Sequence, residues 1–137
     1  MARVPVLGDL LASTVIAVPA QTNELPNEER ERLDALFRTD PLLDQLDAEL
    51  LEWHPGGATV RATIQVLHTN FLGGAHGGIL FSLGDIAMSF ASNGYGRQAV
   101  ATQIDISYHR SVQPGDLVTA TATEISRTRR FAHHRVE

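Results

Sequence analysis

Asn70 to Gly96 reads NFLGGAHGGILFSLGDIAMSFASNGYG, and the spacing of its apolar residues decides the fold. Ile79, Leu83, Ile86 and Phe90 recur at i, i+4, i+7 and i+11, one stripe of an α-helix, and Leu80, Ala87 and Ala91 widen the stripe almost all the way round. Such a helix belongs in a core. Gly77 and Gly78 free the backbone where it begins, and Asn93, Gly94 and Gly96 supply its stop. From Ala62 to Gly96 the one formally charged side chain is Asp85, about two turns into the helix and flanked by Phe81, Ser82, Met88 and Ser89. An unpaired carboxylate in apolar surroundings costs several kcal/mol, and Gly84 beside it costs roughly 1 kcal/mol of helix propensity relative to Ala. Chains carry such costs where chemistry is done. The plainer alternative is an Asp on the exposed edge of an ordinary amphipathic helix, but Ser and Ala offer it little polar face to share.

Around this helix the chain reads as one domain. Its 137 residues suffice for a single core, and 43% hydrophobic content is ordinary for a globular chain. Eleven basic residues, all Arg, stand against sixteen acids for a net charge of -5, which argues against nucleic acid as a partner. The absence of cysteine excludes a disulfide framework, a thiol nucleophile and a Cys-ligated zinc. The six His are not spaced as a metal site either: His133 and His134 are adjacent, so on a strand they point to opposite faces.

Upstream, Asp9 and Gly8 interrupt the apolar N-terminal stretch, which argues against a signal peptide or a membrane span. No membrane partner is expected, and the cytoplasm is the expected compartment. Leu10 to Val18, rich in β-branched residues, reads instead as a strand. A polar linker follows, and Asn27 is a candidate cap for a packing helix through Phe37 with Leu33, Leu36 and Phe37 on one face. Asp40 and Pro41 open a short second helix. Glu49 to His54 and Ala58 to His68 form a hairpin across Pro55, Gly56 and Gly57, with Val60, Ala62, Ile64 and Val66 on the buried face. Trp53 is a core or interface filler. Downstream of the long helix, Val100 to Tyr108, Leu117 to Ser126 and Arg129 to Val136 read as three further strands. Strands that mostly follow one long helix argue an α+β fold with an antiparallel sheet wrapped round that helix.

The residues also carry a family resemblance. Asn70, then Gly74 to Gly78 (GAHGG), then Ser82 to Asp85 (SLGD), resembles the signature of the PaaI-like (phenylacetate-pathway) hotdog-fold acyl-CoA thioesterases. Val100 to Tyr108, Arg110, Gly115, Asp116 and Ala120 to Ala122 are similar to the strands after the family's central helix, and the likeness runs from Leu33 to Glu137. Two departures stand out: the family's usual Arg-Pro is here Arg110 and Ser111, with the proline displaced to Pro114, and its usual Ala before the acid is Gly84. The resemblance implies a thioester hydrolase with no separate cofactor, coenzyme A being part of the substrate. It implies Asp85 as general base or nucleophile and Asn70 as the group orienting water or thioester. His76 would shape the loop near the carbonyl.

Chemistry gives the remaining roles. Thioester hydrolysis needs an electrophile stabiliser for the developing oxyanion, and a glycine-lined helix N-terminus supplies one. Gly77 fits that role, with Gly78 beside it, and Thr102 is a weaker candidate for supporting the water. Phe81, Met88 and Leu72 are candidates for an apolar acyl pocket. Arg110, with Arg127, Arg129 and Arg130, could meet coenzyme A phosphates, unless these are ordinary solvated charges. Gly77 and Asp85 lie eight residues apart, about 12 Å along one helix, whereas both must reach one carbonyl within about 3.5 Å. One helix cannot do both, so the sites should lie at the interface of a homodimer, alone or within a tetramer. Two rivals are a hydratase or dehydratase acting on acyl thioesters, which would want a His paired with a carboxylate, and a non-catalytic acyl-CoA binding protein. A last expectation concerns chain order. Residues 8–18 resemble the family's final strand, so a circularly permuted hotdog domain is expected, with residues 19–27 joining the original ends.

Overall fold

The computed structural model describes residues 24–137. The expected strand at Leu10 to Val18, and with it the circular permutation, lies outside the described residues. Helix α1 spans Asn27–Phe37, α2 Pro41–Leu46 and α3 Gly77–Asn93; strands β1 to β4 span Ala48–His54, Gly57–Thr63, Leu117–Arg127 and Ala132–Val136. The four strands form one antiparallel sheet in the order β1-β2-β3-β4, and α3 packs across β2 and β3 at its middle.

The hairpin between β1 and β2 turns where expected. Gly56 has φ +83°, and its N–H donates to Ala91 O of α3 at 3.0 Å while its carbonyl accepts from Glu124 N at 2.8 Å. The turn thereby ties the sheet to the end of α3. A side chain there would be strained in φ and would meet the Tyr95 hydroxyl at 2.9 Å, which explains the glycine. In β1 the register shifts between Leu50 and Glu52, a β-bulge at Leu51. The extra residue lets Leu50 and Trp53, three apart, both face the core.

The stripe on α3 buries as its spacing predicts: Leu83, Ile86, Ala87, Phe90 and Ala91 are buried, and Ile79 packs at the margin. Phe90 stacks on Phe37 of α1 with centroids 4.8 Å apart, and Trp53 meets Phe37 edge-on at 5.0 Å. Trp53 is thus core filler, and its indole N–H donates to Asp34 Oδ1 at 2.9 Å.

Four expectations need correction. Among the described residues Val100 to Tyr108 joins no ladder, because no strand lies beside it there, and it is exposed throughout. The second strand of the hairpin ends at Thr63 rather than His68. Ile64 still bonds the turn at Gly115 and Asp116, but Val66–His68 coils into a 3-10 turn locked by reciprocal Gln65 and His68 bonds, leaving Val66 exposed. Pro26, not Asn27, sits at the N-cap of α1, since Arg30 N donates to Pro26 O. Asp85 is half-buried, because α3 buries one face rather than its whole circumference.

Candidate functional site

The loop leading into α3 is built by backbone bonds around a buried histidine. His68, 2% exposed, accepts from Gln65 N on Nδ1 and accepts from His76 N on its carbonyl, at 3.1 and 2.8 Å. Its Nε2 has no partner among the described residues. Ala75 N donates to Val112 O at 2.8 Å, fastening the loop's other side to the segment before β3. Between these anchors Asn70 makes its own turn. Its N–H donates to Gly74 O, its carbonyl accepts from Gly73 N, and its side-chain Oδ1 accepts from Leu72 N at 2.9 Å. The Asn70 oxygen is therefore committed to the loop, which leaves the amide NH2 for anything else. Phe71, 95% exposed, and Leu72 project from this turn.

His76 is the N-cap of α3. Its φ of -67° and ψ of 131° are extended, its Nδ1 accepts from Gly78 N at 3.1 Å, and its carbonyl accepts from Ile79 N at 2.9 Å. An accepting Nδ1 puts the ring proton of neutral His76 on Nε2. The N–H of Gly77 is left without an acceptor among the described residues, at a helix end with no acid in its first turn to offset the dipole. This is a free donor in a positive field.

One feature of the site was not read from the sequence. The hydroxyl of Tyr108 donates to Gly77 O at 2.9 Å, and a Cβ on Gly77 would lie 3.0 Å from that oxygen and 3.1 Å from Tyr108 Cζ. The signal available was the one aromatic residue closing the Val100 to Tyr108 stretch. That stretch runs along α3 from end to start, since Ala99 bonds the Asn93 side chain at one end and Tyr108 meets Gly77 at the other. Thr102 lies on it, exposed, between these two anchors.

The structure therefore gathers Asn70, His76, Gly77, Gly78 and Tyr108 at the start of α3. It places Phe81, Asp85 and Met88 one to three turns further on, and Arg110 on the exposed segment leading to β3. The Asp85 carboxylate has no hydrogen bond or ion pair among the described residues. Phe81 is 37% exposed and Met88 is half-buried against the core, so both leave apolar surface beside Asp85. Among the described residues, one concavity lies along α1 and another between α1 and the end of α3, both away from Gly77 and Asp85.

The titrations that burial and neighbours perturb lie elsewhere. Burial and then the Glu124 carboxylate push Tyr95 up, while burial pulls His134 down. Glu124 joins them, accepting from Tyr95 Oη at 3.0 Å and from Arg127 Nε at 2.8 Å, with the Arg127 guanidinium 3.6 Å over the Tyr95 ring.

Known proteins give the arrangement a context. The description of the thioesterase superfamily matches residues 72–137. The acyl-coenzyme A thioesterase PaaI of Escherichia coli is 35% identical over 88 residues, 64% of this chain, which covers 63% of that protein's length. A mutant of the phenylacetic acid degradation protein PaaI of Thermus thermophilus superposes with a TM-score of 0.69 at 38% identity, over 72% of this chain and 84% of that one. The E. coli PaaI structure gives a TM-score of 0.76 at 28% identity, over 82% of each chain. The sheet and long helix are thus those of hotdog thioesterases. Among the described residues no helix is long and apolar enough to cross a membrane.

Proposed function

The chain belongs to the thioesterase superfamily, and from that membership we propose that it hydrolyses an acyl-coenzyme A thioester to the free acid and coenzyme A. The observation that carries the reading is the Gly77 N–H at the start of α3, on the same helix as the Asp85 carboxylate, both without a partner among the described residues. The N–H donates to the thioester carbonyl oxygen as that atom gains negative charge. The carboxylate of Asp85 takes a proton from the attacking water, or attacks the carbonyl carbon itself. Either way the carbon–sulfur bond breaks, the electron pair leaves with sulfur, and the thiolate takes up a proton; where Asp85 attacks, water then hydrolyses the acyl–aspartyl anhydride, releasing the free acid and restoring the carboxylate.

The two groups are eight residues apart on α3, about 12 Å along its axis, so they act on one carbonyl only if they come from two chains. The active unit is accordingly a two-fold dimer, or a tetramer built from two such dimers, with two sites at each dimer interface. His76 acts as the cap that leaves Gly77 free, and Asn70 offers its NH2 to water or substrate. Phe81, Met88 and Leu72 line the acyl side. Arg110 meets the phosphates of coenzyme A.

The test is release of free thiol from a panel of acyl-coenzyme A substrates. Asp85→Asn should lower turnover by about 10²- to 10⁴-fold, the range of general acid–base catalysis. Near-full activity in purified Asp85→Asn protein would remove Asp85 from the reaction. A changed acyl chain with no thiol released would mark a hydratase, and tight binding with neither would mark a binding protein.

A further inference from the structure

Two adjacent glycines open α3, so the chain is conformationally freest at the point where a donor has to be held still. The peptide unit between them is gripped from both ends by side chains. Its N–H, that of Gly78, donates to His76 Nδ1 at 3.1 Å, and its carbonyl, that of Gly77, accepts from the Tyr108 hydroxyl at 2.9 Å. His76 is local to the helix, whereas Tyr108 arrives from 31 residues downstream. The Tyr108 ring also lies against the face of Gly77 where a side chain would be, within 3.0 to 3.1 Å of a Cβ there. A carbonyl oxygen has two lone pairs, so the hydroxyl adds to the helical ladder rather than competing with it. Holding this peptide plane fixes ψ of Gly77. With the cap at His76 it also fixes the direction in which the Gly77 N–H points.

We propose that Tyr108 is a positioning residue whose hydroxyl holds the Gly77 peptide so that its N–H points at the substrate carbonyl. The proposal rests on the reading of Gly77 as the carbonyl donor. A merely structural Tyr108, which only anchored the segment before β3 to α3, would influence stability and substrate affinity but not the chemical step.

Tyr108→Phe separates the two, because it keeps the ring and its packing and deletes the hydroxyl alone. Loss of one hydrogen bond that aims a donor should lower kcat for thiol release by about three- to tenfold with KM unchanged. In the same protein the Gly78 amide should exchange with solvent faster, and the Gly77 and Gly78 amide resonances should shift. Wild-type kcat in Tyr108→Phe overturns the proposal while leaving the thioesterase reading intact, whatever the amides do. If the wild-type protein released no thiol, the thioesterase reading would fail on its own. Amide exchange at Gly78 would then still report whether the hydroxyl holds the peptide, and unchanged exchange would refute even that.

Discussion

Replacing Gly77 by proline removes one hydrogen atom from the proposed chemistry and little else. Gly77 is the first residue of α3, the position where a helix best tolerates proline, and it is not among the glycines with positive φ. The preceding His76 already has ψ of 131°, in the range that a following proline demands. The lost N–H has no acceptor among the described residues, so no internal hydrogen bond is broken. The ring carbons do crowd Tyr108, since a Cβ at Gly77 falls 3.0 Å from its hydroxyl oxygen. Gly77→Ala brings the same Cβ and keeps the N–H, so the ratio of the two variants isolates the donor. Removing one oxyanion donor costs about 2.7 to 4 kcal/mol in the transition state, about 10²- to 10³-fold in kcat. Gly77→Ala should lose only what displacement of Tyr108 costs, about tenfold at most. Gly77→Pro should fall a further 10²-fold or more at similar thermal stability, read by thiol release and a melting curve. Equal activity in the two variants would refute the assignment of the Gly77 N–H as the carbonyl donor.

Two stability predictions follow from groups outside the site. Arg38 first, then the Trp53 indole, holds the Asp34 carboxyl below its ordinary 3.8. A lowered folded pKa contributes stability above the unfolded value and loses it as pH falls through the folded one. Asp34→Asn should therefore cost under about 1 kcal/mol at pH 7, because the pair is partly solvent-screened, and in urea titrations the difference should shrink progressively as pH falls below 3.8. Burial, aided by Arg127 and His133 and opposed by Glu124, holds His134 below its ordinary 6.5. The unfolded chain then takes up the proton first as pH falls, so stability should decline from about pH 6.5 downward. His134→Gln should flatten that decline, and an unchanged pH profile would count against the burial of this ring.

Local periodicity made much of the fold legible. The stripe from Ile79 to Phe90 required a buried helix face, and the Pro55 to Gly57 turn, with alternation on both sides, required a hairpin; both stand in the structure. Features that depend on partners distant in sequence were not legible. The bulge at Leu51 follows from the need to bury Leu50 and Trp53 together, which no period-2 pattern announces. Val100 to Tyr108 alternates as a strand should, yet strand formation needs a neighbour, and none lies beside it among the described residues. At the site, the glycines that open α3 could be read from spacing alone. Tyr108 could not, because its contact with Gly77 is set by how the chain returns along α3 rather than by any local motif.

The bulge at Leu51 also bears on how many neighbours the sheet can take. β1 forms one border of the sheet, and there the bulge breaks the even spacing of backbone groups that a visiting strand would need. Glu52 adds an exposed carboxylate along the same strand, while Glu49 is held by Arg61 of β2 at 2.7 Å. The irregular spacing of β1 thus discourages a further strand from joining the described sheet at that border.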